Sequence, residues 1–318
     1  MGFHLRRTEM IDRRLKRQSI EKGHVDFWHR RGRGSYHLEN VGLARGLLGF
    51  ALRLTRLFER GRRNVLALQL RMVDFSFPNI PRAFDGFTVL HLSDLHLDCL
   101  AGLAERLREI VSQVSVDLCV LTGDYRFEVE GSAEAANREL AKVLPCVRSR
   151  FGMIGILGNH DFLEAASSLQ QMGVRMLLNS SFEAKLGADS VWLIGLDDPH
   201  YYGCDDLSIA LRGVPDEAFK ILLVHSPEML REASEARFDL YLCGHTHAGQ
   251  ICLPWLGPII RNAACPRRFL RGKWTYRGVQ GYTSAGIGAS LLPVRFQCPP
   301  EVTVIRLRRQ ESEVGMKA

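Results

Sequence analysis

The sequence predicts an α/β domain, because short apolar runs alternate with stretches of helical periodicity from residue 88 onward. The expected strands are 88–92, 118–121, 153–157, 191–196, 221–224, 240–243, 279–283 and 302–307. The expected helices lie at about 102–114, 134–144, 162–172 and 206–212. Alternation of this kind is typical of sheets that are covered by helices.

The composition is that of an ordinary globular protein. The chain has 318 residues, of which 46% are hydrophobic and 24% charged, so disordered and collagen-like classes are excluded. Its eight cysteines are scattered and include no Cys-x-x-Cys pair. We therefore expect free thiols in a reducing compartment, and neither a disulfide framework nor a zinc ribbon.

Positive charge is concentrated near the N-terminus. The formal net charge is +7, and the first 64 residues contain 16 basic and 6 acidic residues. Residues 1–40 lack apolar periodicity, which predicts a mobile basic arm. Residues 41–64 place leucines on one side of a helix and arginines on the other, which predicts a basic amphipathic helix. A domain over 65–310 and a polar tail over 311–318 complete the predicted organisation.

The amphipathic pattern over 41–63 has two interpretations. The helix either lies on an anionic bilayer, with its leucines at the acyl boundary, or packs on the domain with a solvated basic face. The first residues lack the apolar run of a secretory signal, and no stretch reaches the roughly 18 apolar residues of a membrane span. We expect a cytoplasmic protein, peripheral on the inner face of the cell membrane.

Polar clusters follow five of the first six predicted strands. Their metal-ligating side chains are Asp94, His96, Asp124, Asn159, His225, His245 and His247. In an open α/β sheet the carboxyl ends of the strands meet at one crevice, so these distant residues can come together there. Burying so many carboxylates and imidazoles without a cation would be costly. The sequence therefore predicts a metal site.

Five blocks in this order resemble the calcineurin-like metallophosphoesterase superfamily: Asp94-x-His96, Gly123-Asp124, Gly158-Asn159-His160-Asp161, His225 and Gly244-His245-x-His247. The resemblance covers about residues 86–308 and implies a four-layer α/β/β/α sandwich with two mixed sheets. The implied ligands are Asp94, His96 and His247 for one ion, Asn159, His225 and His245 for the second, and Asp124 as the bridge.

The implied chemistry is phosphoester hydrolysis with two divalent ions. Such a pair activates a nucleophile for in-line attack and neutralises phosphoryl charge, and the ligand types suit Mn²⁺, Fe or Zn²⁺. By the resemblance, His160 faces the substrate as an acid or transition-state stabiliser, and Asp161 orients its ring. Arg126 is expected either to donate to the substrate phosphate or to be a surface arginine.

The flanking residues 79–86, 245–254 and 286–302 look like the bacterial YkuE/YaeI-type branch of this superfamily. That resemblance implies hydrolysis of a phosphodiester or pyrophosphate bond in a membrane-associated lipid such as UDP-2,3-diacylglucosamine, in lipid A biosynthesis. Two alternatives are a nucleotide or nucleic-acid phosphodiesterase and a non-catalytic scaffold. The acids and few aromatics of the basic arm argue against nucleic acid, and the complete ligand set argues against the scaffold.

Overall fold

The computed structural model describes residues 15–22, 32–34, 42–258 and 262–310. We call residues 15–22 the N-terminal segment; its residues 15–21 are helical. The α-helices that follow are α1 (Gly42–Leu54), α2 (Phe58–Leu66), α3 (Leu103–Val111), α4 (Glu134–Val143), α5 (Leu163–Gln171), α6 (Leu207–Ala210) and α7 (Leu230–Glu235). Short 3-10 turns lie at Arg82–Phe84, Leu97–Cys99, Leu144–Cys146, His247–Gly249 and Arg267–Phe269.

The strands form two six-stranded mixed sheets. They are β1 (Gln69–Phe77), β2 (Thr88–Leu92), β3 (Ser115–Val116), β4 (Leu118–Leu121), β5 (Arg148–Ser149), β6 (Met153–Gly155), β7 (Val174–Met176), β8 (Ser180–Leu186), β9 (Asp189–Gly195), β10 (Phe219–Leu223), β11 (Leu240–Cys243), β12 (Cys252–Leu253), β13 (Gly257–Pro258), β14 (Gly272–Tyr276), β15 (Val279–Thr283) and β16 (Glu301–Arg309). The first sheet has the order β1-β16-β2-β4-β6-β7 and the second β14-β15-β11-β10-β9-β8. In the first sheet β16 pairs antiparallel with β2, and in the second β14 and β8 pair antiparallel with their neighbours.

The two sheets pack face to face between two layers of helices. Val89 of β2 lies in the core between the sheets, whereas its neighbour Leu90 packs beneath the helices on the outer face. The second sheet alternates in the same way, with Leu242 inside and Tyr241 outside. Side chains of successive strand residues point to opposite faces, so each central strand is buried on both sides. The predicted four-layer α/β/β/α sandwich is confirmed.

All eight predicted strands are present, and the strands that the sequence did not predict are informative. The four missing from the prediction in the large sheets are β1, β7, β8 and β14, which are the four edge strands. Leu70 and Met72 of β1, for example, are exposed. An edge strand needs no continuous apolar run, so apolar runs in the sequence do not predict it.

The single helix predicted over 41–64 is two helices. At the end of α1 the Thr55 hydroxyl donates to the Ala51 carbonyl at 2.9 Å, and Arg56 has a left-handed φ of 59°. A left-handed residue ends an α-helix, so the chain turns before α2 begins. The leucine spacing continues across this break, which is why the periodicity did not reveal it. In α2, Val65 is fully buried in the core beneath the helices.

The N-terminal segment, which belongs to the predicted mobile arm, is packed on the domain. In the N-terminal segment Arg17 is fully buried and Ile20 is nearly so. The remaining residues of the predicted arm, together with the predicted tail over 311–318, lie outside the described residues. Across the described ranges, no helix combines the length and the apolar character needed to cross a bilayer. All eight cysteines fall in those ranges, where none is joined in a disulfide and five are buried.

Candidate metal centre

The seven predicted ligands meet where the two sheets present their carboxyl ends. Asp94, Asp124 and Asn159 follow β2, β4 and β6 of the first sheet, and His225 and His245 follow β10 and β11 of the second. The loops are short, so each strand aims its polar residues into the same crevice. All seven side chains are buried. The convergence that the strand ends predicted is present in the fold.

Four of these residues form a first cluster. Ligand atoms of Asp94, His96, Asp124 and His247 lie within 4.8 Å of one another. His247 Nε2 is 3.4 Å from Asp94 Oδ1, and His96 Nε2 is 3.7 Å from Asp124 Oδ2. Two carboxylates and two imidazoles at this spacing can hold one divalent cation.

A second cluster shares Asp124 with the first. Ligand atoms of Asp124, His225 and His245 lie within 4.8 Å of one another, with His225 Nε2 3.2 Å from Asp124 Oδ2. Asn159 Oδ1 completes the group, at 3.0 Å from His225 Nε2 and 2.9 Å from His245 Nδ1. The structure thus brings all seven predicted residues together, in the two groups that the sequence resemblance implied.

The donor atoms of this crevice fit a pair of cations. Within the part of the chain that the structure describes, the buried Nε2 atoms of His96 and His245 have no hydrogen-bond partner. The opposite nitrogen of His96 is held by the Arg126 carbonyl at 2.6 Å, and that of His225 by the Thr122 carbonyl at 2.7 Å. Such carbonyls fix the tautomer and leave the other ring nitrogen available as a ligand. An unpartnered buried nitrogen is costly unless a ligand occupies it.

The backbone at the crevice is unusually strained. Five of the seven residues have a left-handed φ, namely Asp94, His96, Asp124, His245 and His247. Residues with side chains avoid this region, and such strain is concentrated at functional sites. Gly158 has the opposite role of leaving space, because a Cβ there would lie 2.2 Å from Asp124 Oδ1. The glycine before Asn159 therefore allows the two loops to approach each other.

The charges of the crevice favour a cation beside Asp124. Burial raises the pKa of Asp94 to about 6. Burial by itself would raise the pKa of Asp124, but the charge of the neighbouring His225 outweighs burial and holds that pKa well below its usual range. Burial lowers the pKa of His225, and the Asp124 carboxylate more than reverses this and raises it to about 10. Asp124 is therefore a carboxylate that attracts positive charge from its surroundings.

His160 lies beside the two clusters, but Asp161 does not orient it. His160 Nε2 is 3.9 Å from Asp124 Oδ2, and its Nδ1 is 2.9 Å from the Phe127 carbonyl. The Asp161 carboxylate instead accepts backbone N–H groups of Asp124, Tyr125 and Gly158, each at 2.8 Å. The expectation that Asp161 orients the His160 ring is wrong, because its oxygens are engaged in holding two ligand loops together.

Arg126 does not reach into the crevice. It is buried, its Nε donates to the His160 carbonyl at 2.7 Å, and its two terminal nitrogens donate to the Val129 and Gly131 carbonyls. Its guanidinium also stacks 3.9 Å over the Phe162 ring. With each nitrogen engaged by the backbone, Arg126 holds the loops rather than pointing to a substrate phosphate.

Two arginines at the site were missed by the sequence reasoning. Arg295 is fully buried, and one of its terminal nitrogens lies 3.1 Å from His247 Nδ1. Arg17, from the N-terminal segment, contacts the loop that carries Asn159. No local pattern marks either residue, since both reach the site from segments distant in sequence.

A small, partly open apolar cavity of about 70 Å³ lies beside the two clusters. Its walls include His245 and His247 on one side and Leu48 of α1 on another. Ile251 and Leu292 add further apolar surface. The crevice therefore combines a polar floor of candidate ligands with an apolar wall.

Two carboxylate and histidine clusters that share one aspartate, at the edge of a four-layer sandwich, define a metal-dependent hydrolase of phosphoric esters. The chain belongs to the calcineurin-like phosphoesterase family, whose model matches residues 87–249.

Similar proteins are found in several organisms. The chain is 32% identical over 241 residues to the metallophosphoesterase YkuE of Bacillus subtilis, covering 72% of this chain and 82% of YkuE. It is 30% identical over 260 residues to a transmembrane protein with metallophosphoesterase domain from Danio rerio, covering 75% of this chain and 57% of that protein. It is 26% identical over 230 residues to the phosphodiesterase YaeI of Escherichia coli, covering 70% and 82%.

Proposed function

We propose that this phosphoesterase uses two divalent ions, of Mn, Fe or Zn, to hydrolyse a phosphodiester or pyrophosphate bond in a lipid. The preferred substrate is UDP-2,3-diacylglucosamine, met on the inner face of an anionic membrane. The observation that carries the dinuclear part is the shared Asp124, which belongs to both ligand clusters. The similarity to the phosphodiesterase YaeI agrees with cleavage of a diester.

The residues of this chain divide the work. Asp94, His96 and His247 would hold one ion, Asn159, His225 and His245 the other, and Asp124 both. When bound, such a pair activates water for attack on phosphorus and neutralises the phosphoryl oxygens. His160 keeps its Nδ1 on the Phe127 carbonyl, so its Nε2 is the nitrogen left for the substrate, and the imidazolium form would give its Nε2 proton to the leaving oxygen.

Two observations support a lipid as the substrate. The apolar cavity lies directly beside His245 and His247, where a hydrocarbon chain can leave water while the phosphorus reaches the ligands. Close to it, α1 exposes Leu47, Phe50 and Leu54. The Danio rerio relative is a transmembrane protein with a metallophosphoesterase domain, which agrees with a substrate met at a membrane.

The same surface carries the features of a membrane contact. Trp255 is completely exposed in the β12–β13 hairpin, and both flanks of that hairpin, Ile251 and Asn262, line the apolar cavity. Arg53 and Arg60 are exposed on α1 and α2. Apolar side chains beside arginines are the composition of a surface that rests on anionic lipid. We infer that α1 and the hairpin bring the cavity to the bilayer.

The function is tested by hydrolysis of UDP-2,3-diacylglucosamine in mixed micelles with Mn²⁺, following release of UMP. We expect Asp124→Asn to lower the rate on the order of 10²-fold or more, because one preorganised charge is removed from both ion sites. Asp216→Asn, at an exposed carboxylate before β10, is the matched control and should retain wild-type activity.

The outcomes separate the two parts of the proposal. No UMP release, together with metal-dependent cleavage of an aryl phosphodiester, would keep the dinuclear hydrolase and discard the lipid. Full metal-dependent activity in Asp124→Asn would discard the dinuclear assignment itself.

A further inference from the structure

The N-terminal segment places a charged side chain against the loop of the second cluster. Arg17 is fully buried, and one of its terminal nitrogens donates to the carbonyls of Asp161 at 2.7 Å and Gly158 at 3.3 Å. Its other terminal nitrogen pairs with the Asp197 carboxylate. Its guanidinium also lies 3.9 Å over the Tyr202 ring. Each polar nitrogen of a buried arginine needs such a partner, and here two of the partners are carbonyls of the loop around Asn159.

The rest of the segment holds Arg17 in this position. Ile20 packs in a small apolar cluster with Tyr201, Tyr202 and Cys204. One carboxylate oxygen of Glu21 accepts from Arg17 Nε at 3.2 Å and from the backbone N–H of Leu163 at 2.8 Å. Leu163 is the first residue of α5, which directly follows the loop. The segment is therefore tied to the domain on both sides of Arg17.

Arginines hold the loop from two sides. Arg17 binds the carbonyls of Gly158 and Asp161, and Arg126 binds the carbonyl of His160 that lies between them. The backbone of Asn159 is thereby enclosed by fixed neighbours, and its side-chain oxygen faces the histidines of the second cluster. Charge-assisted bonds of this kind are stronger than neutral ones, so the loss of Arg17 leaves two loop carbonyls without their charged donor.

We propose that Arg17 is a positioning residue for the second ion site: it fixes the loop that presents Asn159. Arg17 lies outside residues 87–249, which the family model matches, so this part of the site comes from the N-terminal region of the chain. The proposal rests on the dinuclear centre proposed above. It predicts that removing Arg17 weakens one of two ions selectively, in the way that partners behind a metal ligand control its affinity.

The test is Mn²⁺ binding to the full chain by calorimetry, with electron paramagnetic resonance to distinguish a coupled ion pair from isolated ions. We expect two Mn²⁺ ions in the wild type, and in Arg17→Ala a loss of affinity of about 10- to 100-fold for one of them. The matched control is Lys16→Ala on the same helical turn, whose amine donates to the exposed side of the domain at the Gly203 carbonyl. It should bind both ions as the wild type does.

Several outcomes would overturn the proposal. Two ions at wild-type affinity in Arg17→Ala would assign Arg17 a purely structural role, which lowers thermal stability without changing metal binding. If Arg17→Ala does not fold, Mn²⁺ binding is measured on Arg17→Lys instead. Lysine keeps the positive charge beside Asp197 but cannot reproduce the planar set of donors that the guanidinium presents to the loop carbonyls. Unchanged binding in a folded Arg17→Lys would refute the proposal. A single ion in the wild type would refute the dinuclear centre and this role together.

Discussion

The exposed apolar face of α1 gives the sharpest test of membrane contact. The triple substitution Leu47→Gln, Phe50→Gln and Leu54→Gln removes side chains that are 63%, 67% and 74% exposed. Full burial of a Leu or Phe side chain is worth about 1.5–3 kcal/mol, so about two thirds of that, or roughly 1–2 kcal/mol, is gained by each on insertion. The three together contribute about 3–6 kcal/mol, which corresponds to a loss of about 10²- to 10⁴-fold in partitioning.

The assay is flotation with liposomes that contain anionic phosphatidylglycerol, at fixed ionic strength. The control variant is Leu70→Gln with Met72→Gln on the edge strand β1, where two apolar side chains are 47% and 59% exposed but lie outside the proposed membrane surface. That variant should float as the wild type does. Because exposed arginines contribute to the contact, wild-type binding should also fall as salt is raised.

Membrane contact through α1 is refuted if the partition coefficient of the triple variant is within about threefold of the wild-type value, a difference of less than 1 kcal/mol. An equal loss in the β1 control would also refute it, since the effect would then follow general surface hydrophobicity. In either case the exposed apolar side chains of α1 would have no role in lipid binding.

Two further predictions concern the interior. In Gly158→Ala a Cβ placed 2.2 Å from Asp124 Oδ1 forces the two ligand loops apart, so we expect a stability loss of about 1–3 kcal/mol in urea unfolding and at least about tenfold weaker Mn²⁺ binding. Gly46→Ala is the control, because a Cβ there meets nothing within 4 Å; equal effects of the two changes would contradict the argument. His91, whose Nε2 is 2.9 Å from the Thr122 hydroxyl, has its pKa lowered to about 3 by burial. Below about pH 6.5 His91 becomes protonated in the unfolded chain but stays neutral in the folded chain. The free energy of unfolding therefore decreases as the pH is lowered from about 6.5 to about 3, by about 4–5 kcal/mol in total. His91→Phe should reduce the slope of unfolding free energy against pH in that window, and an unchanged slope would show that His91 does not carry the effect.

Much of the fold and all seven candidate ligands could be predicted from the sequence because the signals are local. A central strand is buried on both faces and therefore reads as an apolar run, and each ligand follows such a run within a few residues. Asp94 and Asp124 both fall at positions of this kind. The edge strands were missed for the opposite reason: Leu70 and Met72 face solvent, so β1 needs no apolar run.

The residues whose roles were misjudged depend on partners that are far away in sequence. Arg126 and Asp161 stand beside predicted ligands, and proximity suggested substrate contact and ring orientation. Their actual partners are backbone groups, and those that join the two ligand loops lie 34 to 37 residues away. Spacing along the chain contains no information on which backbone group will face a side chain.

The sequence by itself determined the α/β class, the order of the strands that end in candidate ligands, and the seven side chains of the candidate metal centre. Strand burial and ligand type both depend on short stretches of sequence. Only the tertiary structure decided how the site is completed. Arg17 reaches the Asn159 loop across more than a hundred residues, with Asp161 accepting from it 144 residues away. The docking of α2, the position of Arg295 at His247 and the apolar cavity are decided in the same way, because packing brings together surfaces that no local pattern connects.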